Sequence, residues 1–395
     1  MNYDLQKNKI IIFIMLVLAI ASLVIWLGLC FFWGQFWRSI WLIPSNKPLE
    51  SYPNVWAILP ARDEADVIGN SLTSVLKQDY PGLLSVVLVD DNSSDDTAKI
   101  ARDTVKKLAT DRSLHIISGR SLPPGWKGKL WALEQGINYA KQEATPDYFL
   151  LTDADIQHHN SNLTELITKA ESENLDLVSF MVLLWCQSFW EKFLIPAFVF
   201  FFQLLYPFKL ANNSQSFVAA AAGGCILIKA TTLEKIGGIA AVKNALIDDC
   251  TLAKKVKSGG GKIWLGLTDK TISLRPYNYL KSIWDMVART AFDQLNYSWL
   301  LLIGTIFGMA LVYLVPPIAI IWGIATQNIP VLATGAIAQI VMSLTYLPTI
   351  RLYRLSPLWT LSLSAIALLY GLMTIDSAIK HLQGKGGFWK GRVYQ

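Results

Sequence analysis

Two kinds of sequence divide this chain. An apolar run at residues 10–33 and three more beyond residue 295 bracket a middle stretch, roughly 54–290, that carries most of the acidic side chains. With 395 residues, 53% of them hydrophobic, and mean hydropathy +0.37, the chain reads as a soluble domain set between membrane segments. The first run is longer than the apolar region of a signal peptide and lacks a small-residue cleavage site, which predicts a retained anchor of roughly 20 or more residues.

The later runs fall at 300–325, 331–350 and 358–375, parted by Gln327-Asn328-Ile329-Pro330 and Arg351-Leu352-Tyr353-Arg354. They predict a C-terminal transmembrane bundle. A shorter apolar segment, 193–210, holds Pro196 and Pro207 between Glu191-Lys192 and Lys209, and is expected to lie along the bilayer interface. The resulting division is an anchor with its linker (1–50), a middle domain (51–295) containing that segment, and a bundle with a basic tail (296–395).

Arg38 and Lys47 follow the first span, and Arg351 and Arg354 separate the last two, which puts these loops and the acidic domain in the cytoplasm. The chain is expected to be a multi-pass membrane protein. Four full spans would carry Lys380, Lys385, Lys390 and Arg392 to the other side, against the same charge rule. One of the runs is therefore expected to be re-entrant or interfacial. The net charge of +6 is spread over loops and tail without interleaved aromatic residues, a pattern that points to anionic lipid and away from nucleic acid. Cys30, Cys186, Cys225 and Cys250 form no CxxC pair, as expected in a reducing compartment.

Within the middle stretch, short apolar runs at 55–60, 84–89, 115–118 and 148–152 alternate with helical spacing at 63–76, 96–108 and 129–141. That alternation predicts a doubly wound, largely parallel α/β sheet. Ligands of such sheets bind where strands end, and there the sequence places Pro60-Ala61-Arg62, Asp90-Asp91 and Asp153-Ala154-Asp155. A DxD triplet on a turn can aim two carboxylates at one hard cation, Mg²⁺ or Mn²⁺, that bridges diphosphate oxygens. Asp-rich turns also serve as helix caps, so the triplet gains meaning only from its neighbours. Lys129, after Gly128 at a helix start, is placed to meet phosphate, although the glycine spacing of a Walker A loop is absent.

Together these residues resemble the inverting family 2 glycosyltransferases of the GT-A fold over roughly residues 54–290. The resemblance rests on Pro60-Ala61-Arg62-Asp63-Glu64, Val89-Asp90-Asp91-Asn92-Ser93, Gly128-Lys129 with Ala132-Leu133 and Gly136, Asp153-Ala154-Asp155, Gly223-Gly224-Cys225 and Asp248-Asp249-Cys250. It implies a nucleotide-diphosphate sugar, UDP by family habit, bound by Pro60, Ala61, Arg62, Glu64, Asp90, Asp91, Lys129 and Asp153. It further implies a metal on Asp153 and Asp155, and Asp249 as the catalytic base.

Processive polysaccharide synthases of that family carry QxxRW, and the aligned stretch here is Met286-Val287-Ala288-Arg289-Thr290. Only the arginine remains, available to steady the departing diphosphate. The stretches Trp126-Lys127-Gly128-Lys129-Leu130-Trp131-Ala132-Leu133 and Arg289-Thr290-Ala291-Phe292 are similar to membrane glycosyltransferases of the hopene-associated type, related to ceramide and carotenoid glycosyltransferases. That likeness implies transfer of one sugar to the hydroxyl of a hopanoid, carotenoid, sphingolipid or glycerolipid. A processive synthase and a non-catalytic nucleotide-binding scaffold are the competing expectations.

Overall fold

The computed structural model describes residues 2–41, 49–108 and 110–385; Lys47, Lys390 and Arg392, used above as charge markers, lie outside them. The strands are β1 (Val55–Ala61), β2 (Leu84–Asp90), β3 (Ser113–Ser118), β4 (Tyr148–Thr152), β5 (Ile156–Gln157), β6 (Leu177–Leu183), β7 (Cys225–Lys229) and β8 (Ile263–Ser273). They form one mixed sheet in the order β3-β2-β1-β4-β7-β6-β8-β5. Strands β3, β2, β1 and β4 run parallel, whereas β7 lies antiparallel to both β4 and β6.

Strands β1, β2 and β4 are nearly continuous apolar runs because helices cover both faces of the sheet, so alternate side chains on either side are buried. Their register aligns the ends that matter. Ala61 pairs with Asp90, and Ile58 with Leu151, so Pro60, Asp90 and Asp153 emerge along one edge. The helix Gly128–Glu143 sits close on this sheet through Gly136, where a Cβ would come within 2.6 Å of Ile58. Only glycine permits that approach.

The helix expected over 63–76 begins at Ile68. Asp63 has φ +51°, and the next backbone N–H groups are taken by side chains: Glu64 N donates to Thr97 Oγ1 at 2.8 Å and Ala65 N to Asp95 Oδ2 at 3.0 Å. These bonds compete with a helical turn and hold 63–67 as a loop at the sheet edge.

Four helices are long and apolar enough to cross a membrane: Asn8–Phe32, Trp299–Ala325, Ile329–Leu352 and Pro357–Leu382. The first is tied to the second by a proline. Pro316 has no N–H to give to the carbonyl of Val312, and Trp26 Nε1 donates to that oxygen at 2.8 Å, with Ser22 Oγ at 3.3 Å. The second and third form a close hairpin, since a Cβ on Gly323 would meet the Leu332 backbone at 2.6 Å.

The last apolar segment behaves differently. Near its start Trp359 packs on Phe189 and Phe193, and near its end His381 packs on Phe292 and Tyr297. Both ends thus rest on the 51–295 domain and the turn that follows it. The segment expected to lie along the bilayer surface is packed between the domain and the apolar helices. Most of it is the helix Phe189–Leu205, which joins the domain to the apolar helices, with Leu194, Ile195, Val199 and Phe200 buried against Phe36, Tyr346 and Tyr370.

Candidate active site

The edge where β1, β2 and β4 end opens into a cleft of about 400 Å³. Of the residues expected at the site, Pro60, Glu64, Lys129, Asp153, Asp155 and Arg289 line it, and Asp248 joins them. Asp249 faces an inner recess shared with Lys129, Asp153 and Asp248. Ala61, Arg62, Asp90 and Asp91 stand at the ends of β1 and β2 outside that lining. There Asp91 N donates to Ala61 O at 2.8 Å and Arg62 Nη1 donates to Asp91 O at 2.6 Å, fastening the two strand ends together.

One lysine draws the acids into a single constellation. Lys129 Nζ lies 2.7 Å from Asp153 Oδ1 and 3.6 Å from Asp248 Oδ2. Burial would by itself discharge this amine, but Asp153 and Asp248 outweigh it and hold its pKa above the ordinary lysine value. Asp249 Oδ2 accepts Gly223 N at 2.8 Å, and its Oδ1 accepts Cys250 N at 2.7 Å. Desolvation and the neighbouring Asp248 charge push the Asp249 carboxyl up to about 6, against the pull of Lys129 and these two N–H groups. A Cβ on Gly223 would lie 3.0 Å from Lys129 Nζ and 3.4 Å from Asp249 Oδ2, which explains the glycine.

Arg275 was not foreseen. Its Nε donates to Asp155 Oδ2 at 2.9 Å and its Nη2 reaches both Glu64 oxygens at 2.6 Å, bridging the β4 end to the β1 loop. It stands just beyond β8, so the strand-end argument that found the acids also locates it. Glu191 was missed too: it completes a capping box with Ser188 and accepts Tyr277 N at 2.6 Å, beside the cleft wall. The Ser188-Phe189-Trp190-Glu191 spacing was its signal.

The donor set fits a divalent cation. Asp153 uses Oδ1 for Lys129 and Asp155 uses Oδ2 for Arg275, while Asp153 Oδ2 and Asp155 Oδ1 engage no protein group among the described residues. No group of three or more His, Cys, Asp or Glu forms a cation cage among those residues. Two carboxylate oxygens without a cage suit Mg²⁺ or Mn²⁺, which keep water and phosphate oxygens in their other positions. Arg289, exposed at the end of the helix Leu280–Ala288, has no ion-pair partner among the described residues. It offers a free cation to the cleft.

A mixed sheet with this acid-lined cleft at its strand ends is the GT-A architecture of glycosyltransferases. Residues 56–237 match the family described as Glycosyl transferase family 2, and the chain carries a glycosyltransferase domain of that family. The mannosyltransferase PcManGT from Pyrobaculum calidifontis, solved in complex with GDP-Man and Mn²⁺, shares the fold: TM-score 0.53 at 18% identity, over 93% of this chain and 99% of that one. Among curated relatives, an uncharacterized protein of Methanocaldococcus jannaschii is 30% identical over 31% of this chain and 49% of its own length. The 4,4'-diaponeurosporenoate glycosyltransferase of Staphylococcus aureus is 32% identical over 23% of this chain and 22% of its own. The chain thus spans half or less of the length of the curated relatives it matches.

Proposed function

We propose that this protein is a membrane-bound, metal-dependent inverting glycosyltransferase that moves one sugar from a nucleotide-diphosphate sugar to the hydroxyl of a lipid. The observation that carries the proposal is the meeting of Asp153, Asp155, Lys129, Asp248, Asp249 and Arg289 around one cleft and its inner recess. A carotenoid-type relative and a structural neighbour solved with GDP-Man and Mn²⁺ support the reading. UDP is the first nucleotide to test. Hopanoid, carotenoid, sphingolipid and glycerolipid alcohols are the acceptors of choice. The catalytic domain faces the cytoplasm, with the apolar helices in a bacterial inner membrane.

In this mechanism the nucleoside lies against Pro60, Ala61, Arg62, Asp90 and Asp91, with Glu64 and Arg275 bracing the wall beside it. The diphosphate meets Lys129 and Arg289, and Asp153 and Asp155 are the residues that would hold a cation beside it. A divalent cation held there would supply positive charge to the leaving group. The acceptor oxygen attacks the anomeric carbon as the bond to diphosphate breaks. Its proton passes to Asp249, and the nucleoside diphosphate departs with the bonding electrons. A base near pH 6 is mostly ionised at neutral pH yet still accepts a proton readily.

One observation favours a second assignment of the base. Asp248 lines the open cleft, whereas Asp249 faces the recess and accepts two backbone N–H groups. Asp249→Asn and Asp248→Asn separate the two. Loss of transfer by roughly 10²–10⁴ with donor binding intact marks the base, because only a proton acceptor is removed. Transfer that survives in both variants would refute base catalysis by this pair.

The lone Arg289 without the Gln and Trp of QxxRW supports single transfer over polymer synthesis. A silent scaffold would have no use for a carboxyl tuned upward beside the metal-type acids. Product sizing and donor turnover test those two rivals.

A further inference from the structure

A second cavity opens from the cleft toward the apolar helices. It measures about 1050 Å³ and shares Lys127, Ala245, Leu246 and Arg289 with the 400 Å³ cleft, so the two spaces adjoin along these residues. Its walls differ in character. Trp126, Ile247 and Tyr297 present apolar surface, and Tyr297, 43% exposed, lies just before the chain enters the helix Trp299–Ala325, with Phe292 buried behind it. The adjoining wall is the end of the last apolar helix, through Ser377 and His381.

That wall is fastened at several points. Phe292 N donates to Ser377 Oγ at 3.0 Å, and the His381 ring stacks on Tyr297 with centroids 4.3 Å apart. Trp284 Nε1 donates to Asp376 Oδ2 at 2.7 Å, and Lys380 Nζ pairs with Asp376 at 2.9 Å and Asp285 at 3.1 Å. Trp284 and Asp285 belong to the helix Leu280–Ala288, whose Ser282, Asp285 and Met286 face the donor cleft. One helix thus forms a side of the cleft and carries the helix that closes the cavity.

We propose that this second cavity is the acceptor site and that it takes an amphiphilic alcohol drawn sideways from the bilayer. The hydroxyl end reaches the acid pair through the junction at Ala245 and Leu246, and the apolar body lies against Trp126, Ile247 and Tyr297. The inference rests on the reading of the cleft as the nucleotide-sugar site. Three observations favour this occupant. The cavity joins the cleft on the side of Asp248; its volume is at the upper end of what small-molecule sites hold, roughly 300–1,000 Å³; and its apolar side adjoins the first residues of a membrane-length helix. A soluble sugar acceptor would make no use of that side.

The test uses the full-length protein in lipid nanodiscs with a diazirine-bearing long-chain primary alcohol. After irradiation, label is expected on peptides containing residues 122–126 and 292–297. Thr251→Trp and Asn244→Trp place bulk in the cavity without touching the proposed catalytic groups, and each is expected to cut that label by about tenfold or more, a change of about 1.4 kcal/mol in occupancy. Titration with UDP and GDP in the presence of Mn²⁺ is run on all three proteins. Unchanged nucleotide binding shows that the variants are folded and leaves the labelling to decide. Label confined to the membrane-length helices, or unaffected by both substitutions, overturns the acceptor site. Absence of nucleotide binding in the unsubstituted protein overturns the donor-site reading beneath it, whatever the label shows.

Discussion

Lys129 Nζ sits 2.7 Å from Asp153 Oδ1, joining the helix that opens at Gly128 to the end of the central strand β4. Through its second contact, to Asp248, the same amine ties the metal-type carboxylate to the acidic pair at the start of the helix Asp248–Ser258. Without a cation there, three carboxylates would crowd one poorly solvated recess.

Replacement Lys129→Met should therefore cost more than a phosphate contact. Loss of one preorganised donor commonly lowers kcat by about 10²–10³, and the unpaired acids should also take up protons. Steady-state kinetics across pH checks this. The acidic limb should move upward, because the Lys129 charge opposes the rise in the Asp249 pKa more than either backbone N–H does.

The pH dependence distinguishes the two neighbouring acids. If Asp249 is the base, activity falls as pH drops through about 6, since its carboxyl must be ionised to accept the proton. Asp248→Asn removes a charge that helps to raise that value, so the limb should shift below 6 with substantial activity kept. A limb that stays in place, or activity lost only in Asp248→Asn, reassigns the base.

Arg275 holds two acids from separate elements, Glu64 and Asp155, with its side chain 32% exposed. Arg275→Ala should destabilise the protein by about 2–3 kcal/mol, less than a fully buried pair because solvent reaches the cation. Arg275→Lys should rescue little, as an ammonium cannot reproduce the fork that spans both carboxylates. Chemical denaturation in detergent reads the first, and donor affinity with Mn²⁺ the second.

Much of this site was legible because the relevant strands are buried on both faces. Strands β1, β2 and β4 show as unbroken apolar runs, and each hands an acid or a proline to the same edge. Arg275 was hidden because the strand before it, β8, carries Asp269 and Lys270 in its midst, and these charges interrupt the apolar pattern. The antiparallel entrance of β7 between β4 and β6 depends on contacts distant in sequence, which no local spacing announces. The start of the helix at Ile68 turned on the side chains of Asp95 and Thr97 capturing N–H groups of the preceding loop.

Buried His158 supplies a stability test away from the reacting atoms. Its Nε2 pairs with Thr152 Oγ1 and its Nδ1 with Asn162 Nδ2, both at 2.9 Å, behind the strand that carries the DxD triplet. Burial lowers its pKa to about 4 from 6.5. The unfolded chain takes up this proton near pH 6.5 and the folded chain only near 4, so the contribution is full above 6.5 and is lost as pH falls between them. The loss amounts to about 3 kcal/mol. Denaturation midpoints should drop over that window in the native protein and drop less in His158→Gln.

The central claim is transfer of a sugar from a nucleotide to a membrane alcohol. Purified protein in vesicles made from a bacterial polar lipid extract containing hopanoid, carotenoid and sphingolipid alcohols is incubated with Mn²⁺ and a panel of radiolabelled UDP- and GDP-sugars, and the organic phase is counted. The account predicts label in a single glycolipid of one added sugar, abolished by chelation of the metal and by Asp155→Ala. Label that remains in the aqueous phase as polymer, or no turnover of any donor, would contradict it.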